Sequence, residues 1–188
     1  MNREIVLDRI SIIKNSLKRL KEISKLPKNE FKENDDYFAI AEHHLRRALE
    51  AILDLGRHIC VKEDLGQPQD YTEVFDILNS GGVLDAEFTE SIRGMAGYRN
   101  RLVHMYNQVE KEEIYQILQQ RLDDFEIFIQ KVMDYINSFK RKERGTVRNI
   151  ITPAVKKTAL RLRNSTKKPP KAGPKILLKE LELSKAPR

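Results

Sequence analysis

The chain has 188 residues, 34% of them charged, with 7 Pro, 8 Gly, one Cys and no Trp. This length supports one domain with a sizeable core plus a tail, and the composition favours helices. The single Cys60 excludes an internal disulfide, and the charged N-terminal segment excludes a signal peptide or membrane span there. We therefore expect a cytoplasmic protein that makes no membrane contact.

The net charge of +7 is unevenly distributed along the chain. Residues 140–188 hold 16 Lys or Arg against 3 Glu, whereas residues 1–139 are acidic overall. The sequence therefore predicts two parts, a helical domain over 1–139 and a basic, disordered tail over 140–188. Two uses of the tail stay open at this point, electrostatic binding of RNA and a solvated, dispensable extension.

Apolar residues at the helical period predict about five helices in chain order. They span 3–26, about 36–63, a short segment between the Gly66 and Gly81 turns, a segment that starts at the N-cap Asp85, and about 110–139. The polar segment that begins at Pro27 is predicted as a break, because proline does not continue a helix comfortably. No segment shows the alternation of a strand, so we predict an all-α, antiparallel helical bundle.

The histidines and the cysteine do not have the spacing of a metal site. His43 and His44 are adjacent, so they lie about 100° apart around a helix and cannot face the same ion. His58 and Cys60 fall in the same predicted helix, where packing or surface contact is the expected role. The sequence also lacks a Gly-rich phosphate loop and a Ser-centred nucleophile motif, so no metal or cofactor is expected.

The segment GYRNRLVHMY, residues 97–106, concentrates charged and aromatic side chains in an otherwise ordinary helical sequence. Arg99 and Tyr106 are seven residues apart and fall on nearly one face of a helix, whereas His104 lies about 140° from Arg99. Two arrangements would bring Arg99 and His104 together. Either the helix loosens near its end, or a second copy of the chain completes the site.

An arginine and a histidine without a metal suit RNA cleavage. Imidazole can take the proton of a ribose 2′-OH, and guanidinium can stabilise the pentacoordinate phosphorane. Taken alone, the same pair is more often a cap, a surface ion pair or a packed histidine. The acidic body also argues against RNA binding, unless local charge from Arg93, Arg99 and Arg101, doubled in a dimer, supplies a cationic surface.

The segment RNRLVHMY resembles the R-x-x-x-x-H-x-Y signature of the HepT-type toxins of the HEPN superfamily. The family's long second helix is similar to the segment AIAEHHLRRALEAILDLGRHI. The family's run of short helix, Gly turn and motif helix is similar to the segment DYTEVFDILNSGGVLDAEFTESIRGMAGYRNRLVHMY. The resemblance covers roughly residues 3–137. It implies an all-helical HEPN fold and a homodimer. It also implies a metal-independent endoribonuclease whose substrate is RNA, either tRNA or mRNA, cleaved at the dimer cleft.

Position by position, the resemblance implies that Arg99 and His104 are the catalytic pair and that Asn100 supports them. It also implies that Tyr106 is adenylylated by a cognate minimal nucleotidyltransferase antitoxin of the MntA type, as in type VII toxin–antitoxin systems. Two alternatives come from other classes: a non-catalytic subunit that binds the nucleotidyltransferase, and a helical interaction protein. The family pattern has no counterpart for residues 140–188.

Overall fold

The computed structural model describes residues 2–104 and 109–138, and this part of the chain is almost entirely helical. The helices are α1 (Arg3–Ile23), α2 (Lys28–Glu33), α3 (Asp35–Lys62), α4 (Tyr71–Ser80), α5 (Ala86–Ile92), α6 (Gly94–His104), α7 (Lys111–Gln120) and α8 (122–138). No strand occurs in the described ranges, and the predicted all-α class is confirmed. Tyr106 and the segment 140–188 lie outside the described residues, so the predictions for them stay predictions. None of the helices in those ranges has an apolar stretch that could cross a bilayer.

Asparagine and aspartate side chains begin several of these helices. Asn34 begins α3, Asp70 begins α4 and Asp85 begins α5, each through a side-chain oxygen that accepts a backbone N–H of the first turn. Such a cap typically stabilises a helix by about 1 kcal/mol, because it satisfies a donor that the helix itself leaves unpaired. The N-cap that the sequence predicts at Asp85 is confirmed.

The long helix α3 is the centre of the bundle and contacts α1, α2, α4, α6 and α7. Apolar residues are buried along its length from Ala41 to Cys60. Arg9, in the first half of α1, has its Nε 3.4 Å from Oδ2 of Asp54, in the second half of α3. Arg19, later in α1, acts electrostatically on His44, which is earlier in α3. These two pairs show that α1 and α3 run antiparallel.

Gly56 lets α4 pack closely against α3. A Cβ atom at this position would lie only 2.6 Å from Cγ1 of Val74. One turn later on α3, the Cys60 thiol donates a hydrogen bond to the Val74 carbonyl oxygen at 3.8 Å, and burial raises the pKa of that thiol to about 11. The short α3–α4 distance brings Tyr71, the first residue of α4, beside α3.

The structure divides two of the predicted helices and adds a short one. The predicted fourth helix becomes α5 and α6, which separate at Arg93 just before Gly94, a poor helix former. The predicted last helix becomes α7 and α8, because Arg121 has the non-helical dihedrals φ −125° and ψ 0°. The additional helix α2 lies in the segment predicted as a break, where the fully buried ring of Phe31 holds it on the core.

Candidate active site

Helix α6 carries the predicted motif at the edge of the core. Its inner face is buried, and the buried residues are Met95, Ala96 and Leu102. Helical structure continues through His104, so His104 keeps its offset of about 140° from Arg99. Of the two arrangements that could bring the pair together, a loosened helix is therefore not seen between these two residues.

Arg99 is held by contacts from three helices. Its Nη2 donates a hydrogen bond to Glu50 Oε1 on α3 at 3.2 Å, and its Nη1 to Asn100 Oδ1 at 3.4 Å. The guanidinium carbon also lies 4.8 Å from the centroid of the Tyr71 ring on α4. The Arg99 side chain is only 13% exposed, so a permanent positive charge is fixed at the margin of the core.

The hydrogen bonds of Arg99 are incomplete. Its Nε is buried and has no partner among the described residues. Buried donors are rarely left unpaired in proteins, and such a group calls for a specific explanation. Because Nε is closed to solvent, a substrate anion beside Arg99 would bind the N–H groups left on Nη1 and Nη2, since the guanidinium fork matches phosphate oxygens.

His104 and Asn100 both point away from the core. His104 is exposed in the last described turn of α6, and the described residues include no hydrogen bond between it and Arg99. Asn100 is exposed, and its side-chain oxygen accepts from Arg99. One chain therefore presents Arg99 and His104 on different sides of one helix, and the catalytic roles assigned to them stay predictions.

The positive charge that the sequence suggests around the motif is mostly paired with carboxylates. Arg101 makes a two-point contact with Glu113 on α7, at 2.6 and 3.0 Å, and this hydrogen-bonded partner raises the pKa of Arg101. Arg93 pairs with Asp76 at 2.7 Å and with Glu90 at 3.1 Å. Arg99 also pairs with Glu50, so all three arginines have a carboxylate partner, and the suggestion that Arg93, Arg99 and Arg101 supply a surface of unpaired positive charge is wrong.

A small apolar cavity lies on the other side of α6. Its lining includes Leu49 and Phe125. Its volume of about 170 Å³ is smaller than that of typical ligand pockets, about 300–1,000 Å³. Tyr98 also lines this cavity, and its hydroxyl is buried without a partner among the described residues. Burial raises the pKa of Tyr98, and the negative charge of Glu113 raises it further, so the hydroxyl stays protonated. The size and apolar lining fit packing better than substrate binding.

Glu50 and Tyr71 are the site residues that the sequence did not indicate. Each reaches Arg99 from a different helix, 49 and 28 positions away in the chain. The described residues contain no group of three or more His, Cys, Asp or Glu that could hold a metal ion. The chemistry that this arrangement can support is recognition and stabilisation of an anion by Arg99, with His104 as a solvent-accessible acid or base.

A family model described as ribonuclease HepT-like matches residues 13–132, well over half of the chain. The chain belongs to the ribonuclease HepT-like family. The matched range includes α3 and all of α6, so it contains Glu50, Tyr71 and the residues of the motif. The HepT-like match ends before residue 140, as the resemblance read from the sequence did.

Similar proteins carry nuclease names. The mRNA nuclease HepT of Shewanella oneidensis is 28% identical to this HepT-like chain over 126 residues, which is 67% of this chain and 94% of the relative. The tRNA nuclease HepT of Aphanizomenon flos-aquae is 24% identical over 132 residues, 70% of this chain and 90% of the relative.

A solved structure gives the same result for the fold. The structure of a tri-AMPylated HEPN toxin from Shewanella oneidensis in complex with an MNT antitoxin is 28% identical, with a TM-score of 0.65. The similarity covers 71% of this HepT-like chain and 99% of that toxin chain. The family and the HEPN fold that the motif blocks predict are thereby confirmed.

Proposed function

We propose that this HepT-like chain is a metal-independent endoribonuclease and the toxin of a type VII toxin–antitoxin pair, acting on cytoplasmic RNA. The observation that carries the proposal is the guanidinium of Arg99, held by Glu50 and Tyr71 with a buried donor still unpaired. Family membership supports it, since the relatives are named as nucleases. Because one relative is named for mRNA and the other for tRNA, RNA is the substrate class that they share.

The proposed reaction is an attack within the RNA itself. The His104 imidazole takes the proton of a ribose 2′-OH, and the 2′ oxygen forms a bond to the adjacent phosphorus. Arg99 stabilises the charge of the pentacoordinate phosphorane, because it is a fixed cation with forked donors. The bond from phosphorus to the 5′ oxygen then breaks, a water molecule gives that oxygen a proton, and the imidazolium returns its proton to solvent. The products end in a 2′,3′-cyclic phosphate and a 5′-OH.

The proposed site combines two copies of the chain. A regular α6 separates Arg99 and His104 by about 140°, so we place the Arg99 of one copy opposite the His104 of a second. Light scattering on the full chain should give about twice the 22.0 kDa of one chain. Mixing inactive Arg99→Ala and His104→Ala chains should also restore cleavage, because each mixed dimer keeps one intact pair. A monomer, or a mixture that stays inactive although mixed dimers form, would contradict the shared site.

The proposed switch is adenylylation of Tyr106 by a minimal nucleotidyltransferase antitoxin. The similar solved structure is that of a tri-AMPylated toxin with an MNT antitoxin, which supports this assignment. The Tyr106 phenol would attack the α-phosphate of ATP and release pyrophosphate, and each added AMP would bring negative charge close to the catalytic pair. Intact-mass spectrometry after coexpression with the antitoxin should show AMP on the wild-type chain and none on Tyr106→Phe. Equal modification of both chains would reject Tyr106 as the acceptor.

The activity itself is tested by cleavage of bulk tRNA and of an mRNA transcript in EDTA. We expect the wild-type chain to cut with 2′,3′-cyclic phosphate ends and His104→Ala to be about 10² to 10⁴ times slower, the usual contribution of general-base catalysis. A requirement for added Mg²⁺, or products with 5′-phosphate ends, would contradict the mechanism. A wild-type chain that binds the nucleotidyltransferase but cuts no RNA would instead favour the alternative of a non-catalytic binding subunit.

A further inference from the structure

The ring of Tyr71 contacts two guanidinium groups. The Arg99 guanidinium carbon is 4.8 Å from the ring centroid, and that of Arg57, on α3, is 5.1 Å from it. The two guanidinium carbons are therefore no more than about 10 Å apart. Cation–π contacts of this kind favour arginine, whose planar group packs against a ring and still leaves its edge free to donate hydrogen bonds.

Arg57 has no carboxylate partner among the described residues, which is also true of Arg46 and Arg47 on α3, and it differs from those two in contacting the Tyr71 ring. The arginines that do have such a partner include Arg9, Arg93, Arg101 and Arg121. Arg57 is exposed, and its contact within the described ranges is the Tyr71 ring. Its fork of N–H donors is thus available to an anion from solution.

Helix α3 places Arg57 on the same face as Glu50, the residue that contacts the proposed catalytic Arg99. Glu50 and Arg57 are seven residues apart, so they lie on nearly the same face of α3, about 10 Å apart along its axis. Glu50 contacts Arg99 at one end of this face, and Arg57 reaches Tyr71 at the other. The nearest other carboxylate on this part of α3, that of Asp54, pairs with Arg9.

We propose that Arg57 is a second phosphate-binding residue, which holds the phosphate next to the scissile one on the same RNA strand while Tyr71 fixes the direction of both guanidinium groups. This inference rests on the proposed function, because it takes Arg99 as the residue at the scissile phosphate. A guanidinium with a free edge recognises phosphate oxygens through two parallel hydrogen bonds. It also gives the acidic domain a local cation that no described carboxylate neutralises.

The test is binding of a fluorescein-labelled, single-stranded oligoribonucleotide, measured by anisotropy at several salt concentrations. All variants carry His104→Ala, so that the RNA stays intact. We expect Arg57→Gln to weaken binding about tenfold, since a hydrogen bond to a charged group is lost. The slope of log affinity against log salt should fall by about 0.7, the value for one phosphate contact on a single strand.

Two matched variants separate phosphate binding from simple loss of charge. Arg19→Gln removes an arginine from the exposed face of α1, where it pairs with Glu22, and should change neither affinity nor slope. Arg57→Lys keeps the charge but loses the fork, so it should keep the slope and bind with an affinity between those of wild type and Arg57→Gln. An Arg57→Gln chain that binds like the Arg19→Gln control would overturn the inference.

Cleavage kinetics separate this inference from the proposed function. With His104 present, Arg57→Gln should raise KM for the oligoribonucleotide and leave kcat within about threefold of wild type, because the residue contributes binding and not chemistry. A wild-type chain that binds RNA through Arg57 but never cleaves it would reject the proposed activity and keep the binding site. A fall in kcat with KM unchanged would reject Arg57 as a phosphate-binding residue.

Discussion

Arg99 and Arg101 lie two residues apart on α6, and their surroundings differ in kind. The Arg101 side chain is 41% exposed and donates two hydrogen bonds to one carboxylate, that of Glu113. The Arg99 side chain is 13% exposed, makes a single longer contact to Glu50, and keeps a buried Nε without a partner in the described residues. The more buried arginine is therefore the less satisfied one.

This contrast indicates which arginine has a structural role. A two-point contact between Arg101 and Glu113 joins α6 to α7 and uses the donors best suited to an anion. Burial of a charge is costly unless it is fully paired, so an incompletely paired Arg99 is best explained by a function. Sequence position alone does not separate the two, because both are arginines of the same short helix.

The largest expected effect separates these two arginines by activity. Arg99→Ala should slow RNA cleavage about 10² to 10³ times, the usual cost of removing one preorganised donor to a developing charge. Arg101→Ala should stay within about fivefold of wild type, since an exposed ion pair contributes little. Initial rates of both variants on bulk tRNA measure the difference. If Arg101→Ala were the slower enzyme, the two assignments would have to be exchanged.

A second prediction provides the fold control for these variants. Burial raises the pKa of the Cys60 thiol to about 11, so the thiolate fraction at pH 8 should be about 100 times lower than for an ordinary cysteine. Iodoacetamide should therefore label the native chain far more slowly than the urea-unfolded chain. A variant whose native labelling becomes fast has lost the α3–α4 contact, and its activity is then uninformative. Fast labelling of the wild type would contradict the burial of Cys60.

A third prediction concerns the contact that orients Arg99. Glu50→Gln should lower kcat for RNA about tenfold, because a guanidinium that is free to move loses part of the orientation on which the rate depends. Glu113→Gln, the same change at the partner of Arg101, should have a much smaller effect. Equal kinetics of these two variants would show that the Glu50 contact does not orient Arg99.

The smallest expected effect is on stability. Gly56→Ala would place a Cβ against Val74, and an overpacked contact of this kind costs about 1–3 kcal/mol. Gly97→Ala, within α6, meets no described atom within 4 Å and should stabilise the chain by about 0.5–1 kcal/mol through helix propensity. Thermal unfolding should therefore shift in opposite directions for the two variants. A stabilising Gly56→Ala would mean that α4 can move away from α3 without cost, and that the position of Tyr71 is not fixed by this contact.

The helical class, the long α3 and the start of α5 at Asp85 were predictable from the sequence. Apolar periodicity and side-chain caps are local signals, and they account for these elements without any tertiary information. The breaks at Arg93 and Arg121 were not predicted, because the apolar pattern continues across both positions. The helix α2 was missed because its anchors are tertiary, namely the buried ring of Phe31 and the ion pairs of Lys28 and Lys32 with Glu112 on α7.

The motif residues of the site could be named from the sequence, and their partners could not. Arg99, Asn100, His104 and Tyr106 stand in one short segment that the resemblance covers. Glu50 and Tyr71 meet Arg99, and Arg57 meets Tyr71, only after three helices have packed, and their spacing in the chain carries no signal of these contacts. The pairing of Arg101 with Glu113 is equally a tertiary result, which is why counting nearby arginines overestimated the free positive charge.

Helix α3 fixes the distance between Glu50 and Arg57, and with it the spacing of the contacts that a bound RNA strand would make. Its 28 residues form an uninterrupted helix of about 42 Å, and the interval from Glu50 to Arg57 is two full turns of it. One inserted residue in this interval would turn Arg57 about 100° away and shift it about 1.5 Å, so Arg57 would no longer face Tyr71. The number of residues between Glu50 and Arg57 is therefore as strict a requirement of the site as the two side chains themselves.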